Sequence, residues 1–249
     1  MRLILSPAKN MHSVRAEGFE LTIPPFREKT EALAKAVRSY SAWELESLMK
    51  INPELAMKAY LDYQAFRFDG PGSPALLAYH GLAFRYLDAQ SFSKEELLFA
   101  QEHVRVLSAF YGVLRPLDEI MPYRLEFLCR LKMDGRDLYH YWADAMYQAL
   151  FDGLADRTVI NLCSAEYAKA IEPYLTARDR FVICSFLSCG KNGKLQTRAT
   201  AAKMARGSMA RFAVENRVDS PEELWAFDWE DYAFCQELST ENNYVFLQP

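Results

Sequence analysis

Apolar and polar positions follow two periods along this chain, and the switches between them mark out its elements. Arg2–Ser6 is a short apolar run stopped by Pro7, which predicts a buried strand. Residues 10–25 carry no period and end in Pro24-Pro25, a loop. From Phe26 to Tyr40, Leu33, Ala36, Val37 and Tyr40 share one helical face. Ser41 with Glu44 reads as a capping box that opens a second helix to about Met49. Asn52-Pro53 then starts a third, continued by Leu55, Ala59, Tyr63 and Phe66, because Asn caps well and Pro suits a first turn. Gly70-Pro71-Gly72-Ser73-Pro74 breaks the pattern.

Beyond the break, Ala75–Tyr79 reads as a strand and Ser93–His103 as a helix with a Ser93/Glu96 capping box. Val104–Ser108, Thr158–Leu162 and Phe181–Leu187 are short, β-branched-rich strands. Asp137–Asp152 and Glu166–Leu175 read as helices between or beside them. Asn192-Gly193 is a two-residue hairpin signal, pairing the 181–189 strand with a partner near 194–198. A helix follows to about Arg217, and Tyr232–Phe234 with Tyr244–Leu247 form a second hairpin. Strands and helices mix without a strict βαβ repeat. The expected fold is therefore mixed α/β (α+β): a single domain over residues 1–249, with a mixed sheet, antiparallel hairpins and surrounding helices.

Composition agrees with one packed domain: 51% of the 249 residues are hydrophobic, which excludes global disorder. No apolar run approaches the roughly 18–20 residues of a membrane span, and the N-terminal apolar stretch is too short for a signal peptide. Five cysteines without a CxxC pair suit reduced, mostly buried thiols, so a cytoplasmic protein is expected.

Charge changes the picture more. The net −4 conceals a block from Arg178 to Arg217 with nine Lys/Arg and two acids, followed by a tail, 219–249, with eight acids and no Lys or Arg. Either the two neutralise each other on one surface, or the basic block binds an anion and the tail restrains it.

Within the basic block, Lys203, Arg206, Gly207 and Arg211 fall on one arc of the helix, opposite Ala205, Met209, Phe212 and Ala213. Gly207 leaves a bare backbone spot for a phosphate, another backbone or an aromatic; the plain alternative is an ordinary amphipathic helix. Lys191 and Lys194 at the hairpin tip add to the charge. The Leu107–Glu126 segment leads a buried strand into a rigid loop bearing Arg115, Asp118, Arg124 and Glu126, either a site or two structural ion pairs. Asn161–Tyr167 joins a strand to a helix start, with Asn161, Cys163, Ser164 and Glu166, while Ser6-Pro7-Ala8-Lys9 ends the first strand. No P-loop, GxGxxG, GxSxG or HExxH occurs, and the four histidines lack metal-ligand spacing, so neither a metal nor a cofactor is expected.

Leu5–Lys9, Leu107–Glu126, Asn161–Tyr167 and Ala202–Gly207 with Met209, Arg211 and Phe212 occur in an order that resembles the YaaA family of peroxide-stress-response proteins. Departures are small, with Asn10 where Thr is usual and Cys163 where Ala is commoner. The resemblance implies a single compact α/β domain with a positively charged cleft. It also implies a protein that lowers free iron and DNA damage under peroxide, and a link to DNA binding. The family is similar too to a domain of enzymes that modify tRNA bases. A helix-hairpin-helix described for the family maps best onto Trp43–Phe66, where Asn52-Pro53 replaces the hairpin glycines and Lys50 and Lys58 supply charge.

The leading expectation is a monomeric, sequence-independent binder of duplex or branched DNA in the peroxide response. Lys9, Arg115, Arg124, Lys191, Lys194, Lys203, Arg206, Gly207 and Arg211 are its candidate contacts. The alternative is an enzyme acting on a nucleobase, nucleoside or nucleic acid through Ser6, Asp118, Asn161 and Glu166, with Tyr111 or Tyr123 stacking a base. A third reading makes Cys163 a reactive thiol activated by the helix that follows it.

Overall fold

The apolar runs assemble into one twisted sheet. In the computed structural model, which describes residues 1–15, 18–190 and 193–249, its strands are Arg2–Leu5 (β1), Val104–Ser108 (β2), Gly112–Leu114 (β3), Thr158–Leu162 (β4), Arg180–Cys189 (β5), Leu195–Gln196 (β6), Asp228–Trp229 (β7), Tyr232–Phe234 (β8) and Asn243–Gln248 (β9). The order is β7-β8-β9-β5-β4-β1-β2-β3, with β6 also paired to β5. The central pairs β9/β5, β5/β4, β4/β1 and β1/β2 are parallel. The outer pairs β2/β3, β5/β6, β7/β8 and β8/β9 are antiparallel. Every residue of β2 and β4 is buried, as helices covering both faces of a parallel sheet require.

The topology creates a special place. The chain leaves β1 for β2 on one side, then returns across β1 to β4 and builds outward through β5 and β9. The strand order thus reverses between β1 and β4, and the carboxyl ends of strands at such a switch point open a crevice.

Local signals set most helix boundaries. Both capping boxes are present, at Ser41/Glu44 and Ser93/Glu96. Asn52 Oδ1 accepts from the Leu55 N–H at 2.9 Å and starts Pro53–Ala65. The expected pairing of the 181–189 strand forms, with Leu195 opposite Cys189, whereas Asn192 of the turn expected to join them lies outside the described residues. The tail hairpin also forms, with Ala233 opposite Leu247 and Phe234 opposite Phe246.

Three expectations are corrected. Ala75–Ala78 is a helical turn and not a strand: Ala-Leu-Leu-Ala favours helix, and the Ala75 and Leu76 N–H groups donate to the Asp118 and Pro116 carbonyls. The 137–152 helix splits into Leu138–Trp142 and Ala145–Phe151 at Ala143 (φ 46°), next to Trp142, whose indole is anchored by donation to the Ala109 carbonyl at 2.9 Å. The 166–175 helix is one turn, Ala165–Ala168, followed by a 3-10 turn at Glu172–Tyr174, because Pro173 cannot donate the next helical bond.

The acidic tail is structural. Its β9 is an inner strand between β8 and β5, and Glu222 pairs with Arg180 of the basic block at 2.6 Å. Deleting 219–249 removes β7, β8 and β9 and opens the sheet, so a truncated but folded form is not expected.

Candidate functional site

Ser6 and Ser164 stand immediately past β1 and β4, at the switch point. The Ser164 N–H donates to Ser6 Oγ at 2.9 Å, and the Ser6 hydroxyl donates to Ser164 Oγ at 3.3 Å. This pair ties the two strand ends together at the floor of a cavity of about 470 Å³. Its walls come from five places: residues 5–10, 80–84 and 123–126, Leu162 to Tyr167, and Lys203 with Arg206 from the helix Ala199–Glu215. Three motifs separated in sequence, Ser6–Lys9, Arg124–Glu126 and Ser164–Tyr167, thus meet the basic helix in one crevice.

Apolar atoms of Leu5, Phe84, Tyr123, Leu162 and Tyr167 form much of the wall. Four cations and two carboxylates also line it: Lys9, Arg124, Lys203 and Arg206 against Glu126 and Glu166. Glu126 is already engaged, by Lys9 at 2.9 Å and Arg124 at 3.3 Å. Glu166 accepts the Leu128 N–H through Oε1 at 3.1 Å. Among the described residues neither Lys203 nor Arg206 has a carboxylate partner, and the buried Nε atoms of Arg124 and Arg206 make no hydrogen bond. Burial lowers the Arg206 guanidinium from its ordinary value, with only the Cys163 and Cys184 thiols acting against it.

Two smaller hollows continue the crevice. One, of about 240 Å³, is bounded by Lys9, Arg124, Lys50 and Leu128; the other, of about 60 Å³, by Lys9, Arg124, Lys58 and Asp62. Lys50 turns the chain between Ala42–Met49 and Pro53–Ala65 with φ 54°, so the two-helix hairpin borders the cavity. Lys58 is paired with Asp62 at 2.6 Å. No residue after Arg206 lines the cavity or either hollow, so the acidic tail does not enter the crevice.

Other candidates sit elsewhere. Asp118 is fully buried and accepts from Thr22 Oγ1 at 2.7 Å, the Arg115 N–H at 2.8 Å and the Arg115 guanidinium at 2.9 and 3.0 Å. Arg115 and Asp118 hold the loop together and are absent from the cavity wall. Asn161 is buried and accepts the Cys163 N–H at 2.8 Å, a local bond within the strand end. Arg211 pairs with Glu215 at 2.7 Å and donates to the Leu87 and Asp88 carbonyls and to Ser91 Oγ. The bare spot at Gly207 is occupied by backbone: a Cβ there would lie 2.0 Å from the Ala83 carbonyl oxygen of the helix Leu82–Leu87. Lys194 does not line the cavity, and Lys191 lies outside the described residues. Tyr123 joins the wall with its hydroxyl held by Ser108 and Tyr79, while Tyr111 is buried beneath it. Burial pushes the Cys163 thiol up to about 12, against the idea of an activated nucleophile. Among the described residues no group of three or more His, Cys, Asp or Glu could hold a metal, and no helix is long and apolar enough to cross a membrane.

Sequence reasoning missed the His80–Phe84 wall. Leu82–Leu87 has six residues and no side-chain cap, so no local signal announces it.

Comparison with known proteins covers the whole chain. The family model described as peroxide stress protein YaaA matches residues 1–238. A UPF0246 protein of Agathobacter rectalis is 39% identical over 247 residues, covering 99% of this chain and 98% of that protein. A UPF0246 protein of Clostridioides difficile is 34% identical over 250 residues, covering all of both. One of Bacteroides fragilis is 39% identical over 251 residues, covering 99% of this chain and 98% of its own.

Proposed function

The chain belongs to the peroxide stress protein YaaA family, and on that premise we propose that it binds DNA through the basic crevice and so limits iron-dependent oxidative damage. The observation that carries the reading is the continuity of the cavity with its two hollows, which places Lys9, Lys50, Lys58, Arg124, Lys203 and Arg206 along one path. A path of that kind matches the phosphates of a nucleic-acid backbone, to which cations contribute affinity without sequence preference. Covering the phosphates displaces their counterions, iron(II) among them, from the neighbourhood of the bases. Peroxide then meets less iron on the DNA.

Counterion release supplies the test. Wild-type affinity for a short duplex falls steeply with salt. A Lys50→Ala/Lys58→Ala/Lys203→Ala variant, altered at three exposed side chains, should lose about 0.9 of log–log slope for each phosphate contact removed. Unchanged affinity and slope would overturn the assignment.

A second reading, catalysis on a nucleobase or nucleoside, now rests on Glu166 and Ser6, the two candidates at the cavity. Activity in a nucleoside screen that survives substitution of both would clear them of a catalytic part.

A further inference from the structure

The crevice is more than an open groove. Its deepest part is a chamber whose size falls in the range of small-molecule sites, at the switch point where open α/β sheets bind ligands. A rod-like duplex touches only the rim of such a chamber, so the unpartnered groups at its wall call for something that enters. These groups carry both signs of charge. Lys203 and Arg206 stand one helical turn apart, and among the described residues no carboxylate neutralises them. Glu166 has committed Oε1 to Leu128, while Oε2 has no hydrogen-bond partner among the described residues. The apolar surfaces of Phe84, Tyr123 and Tyr167 line the same chamber.

We infer that the chamber binds a single nucleotide. Its phosphate is held by Lys203 and Arg206, its base lies against the aromatic wall, and a base N–H donates to Glu166. The cations fit a phosphate, which accepts several charge-assisted hydrogen bonds. The carboxylate fits the exocyclic amino group of adenine, cytosine or guanine. The aromatic surfaces fit a flat ring of any base. The inference deepens the DNA reading, on which the choice of a nucleotide rests. The nucleotide is either free or a residue swung out of a bound strand, at the cost of unstacking it.

Equilibrium dialysis with deoxyadenosine 5′-monophosphate, deoxyadenosine and inorganic phosphate tests it. The mononucleotide should saturate one site and bind at least about tenfold more tightly than either fragment, because each fragment loses a set of charged or stacking contacts. Lys203→Ala, at an exposed side chain, should weaken the mononucleotide about tenfold. Arg206→Gln should do the same, with circular dichroism confirming its fold. Lys35→Ala, at an exposed side chain that lines neither the chamber nor its hollows, should leave mononucleotide binding unchanged. The inference is overturned if the mononucleotide fails to bind, binds no better than inorganic phosphate, or ignores Lys203→Ala.

A duplex carrying one 2-aminopurine separates the two sources. A fluorescence rise that requires Lys203 and is competed by the free mononucleotide identifies a strand nucleotide. Mononucleotide binding without that rise identifies the free one. Retained mononucleotide binding in a protein that ignores duplex DNA would remove the DNA reading and leave the chamber assigned.

Discussion

The two ends of the parallel sheet treat their cations in opposite ways. At the amino end, Arg2 of β1, Arg157 just before β4 and Arg180 of β5 stand on neighbouring strands, and each has a partner, although the buried Nε of Arg180 makes no hydrogen bond. Arg2 donates to the Leu150 and Asp152 carbonyls at 2.6 and 2.8 Å, Arg157 to Asp179 at 2.6 Å and Arg180 to Glu222 at 2.6 Å. A wide, open depression of about 830 Å³ lies beside them, with Asp152 and Arg157 at its edge. At the carboxyl end, Lys203 and Arg206 face a smaller cavity and have no carboxylate partner among the described residues. Size alone would choose the amino end. Charge left unmatched chooses the carboxyl end, because the half-buried Arg206 guanidinium, without a carboxylate partner among the described residues, is costly unless a ligand supplies one.

The largest expected effect tests whether the amino end is purely structural. Asp179 is half-buried with its side chain turned inward, and it accepts from Arg157 Nε at 2.6 Å, Tyr147 Oη at 2.9 Å, and the Thr176 N–H and hydroxyl at 2.7 and 2.8 Å. Burial pulls its carboxyl upward, but these donors hold it below the usual carboxylate value. Asp179→Ala should therefore cost about 3 kcal/mol in urea unfolding at neutral pH. A depressed native pKa stabilises above the unfolded value, near 3.9, and that advantage disappears as pH falls through the native value. The variant and wild type should accordingly converge in acid. DNA affinity per folded molecule should not move. If it falls as for the crevice lysines, the contrast between the two ends is wrong.

A somewhat smaller effect is expected where the crevice is built. Gly207→Ala places a methyl 2.0 Å from the Ala83 carbonyl oxygen, a backbone atom that cannot swing away. The Ala199–Glu215 and Leu82–Leu87 helices must separate, at a cost of about 2 kcal/mol and a Tm loss of about 5 °C. Both helices contribute wall residues, so here stability and ligand binding should fall together. A fall in stability alone would make the chamber wall less dependent on this crossing than its geometry implies.

That crossing also explains what the sequence could and could not disclose. β1, β2, β4 and β5 were legible because their apolar runs are short and β-branched, and the caps at Ser41, Asn52 and Ser93 were legible because capping is local chemistry. Helical spacing likewise put Lys203, Arg206, Gly207 and Arg211 on one arc. It could not show that Leu82–Leu87 crosses that arc at Gly207. The crossing leaves Lys203 and Arg206 on the cavity side and sends Arg211 to Asp88 and Ser91. Arg115 and Asp118 were ambiguous for the same reason: a cation and an acid three residues apart read alike as a site or a clamp until burial is known. Only the fold brings Thr22 and the Arg115 backbone onto that carboxylate.

The smallest expected effect separates binding from thiol chemistry at the carboxyl end. Cys163 lies directly under the crevice, past β4, where a peroxide-reactive thiol would be well placed. Its burial argues the reverse: at a pKa of about 12 almost none is thiolate at neutral pH, and the thiolate is the reacting form. Cys184, buried beside it, is pushed to about 12 as well, whereas Cys189 is exposed. Alkylation of the folded protein at neutral pH, followed by peptide mass spectrometry, should mark Cys189 early and leave Cys163 and Cys184 unmarked until the chain unfolds. Cys163→Ala should leave both peroxide sensitivity and DNA affinity nearly unchanged, with stability lower by about 1 kcal/mol for the lost packing. Early alkylation of Cys163, or a peroxide response that disappears with it, would make the carboxyl end a redox site. The unpaired cations above it would then stabilise a thiolate, and the mononucleotide would lose its claim on them.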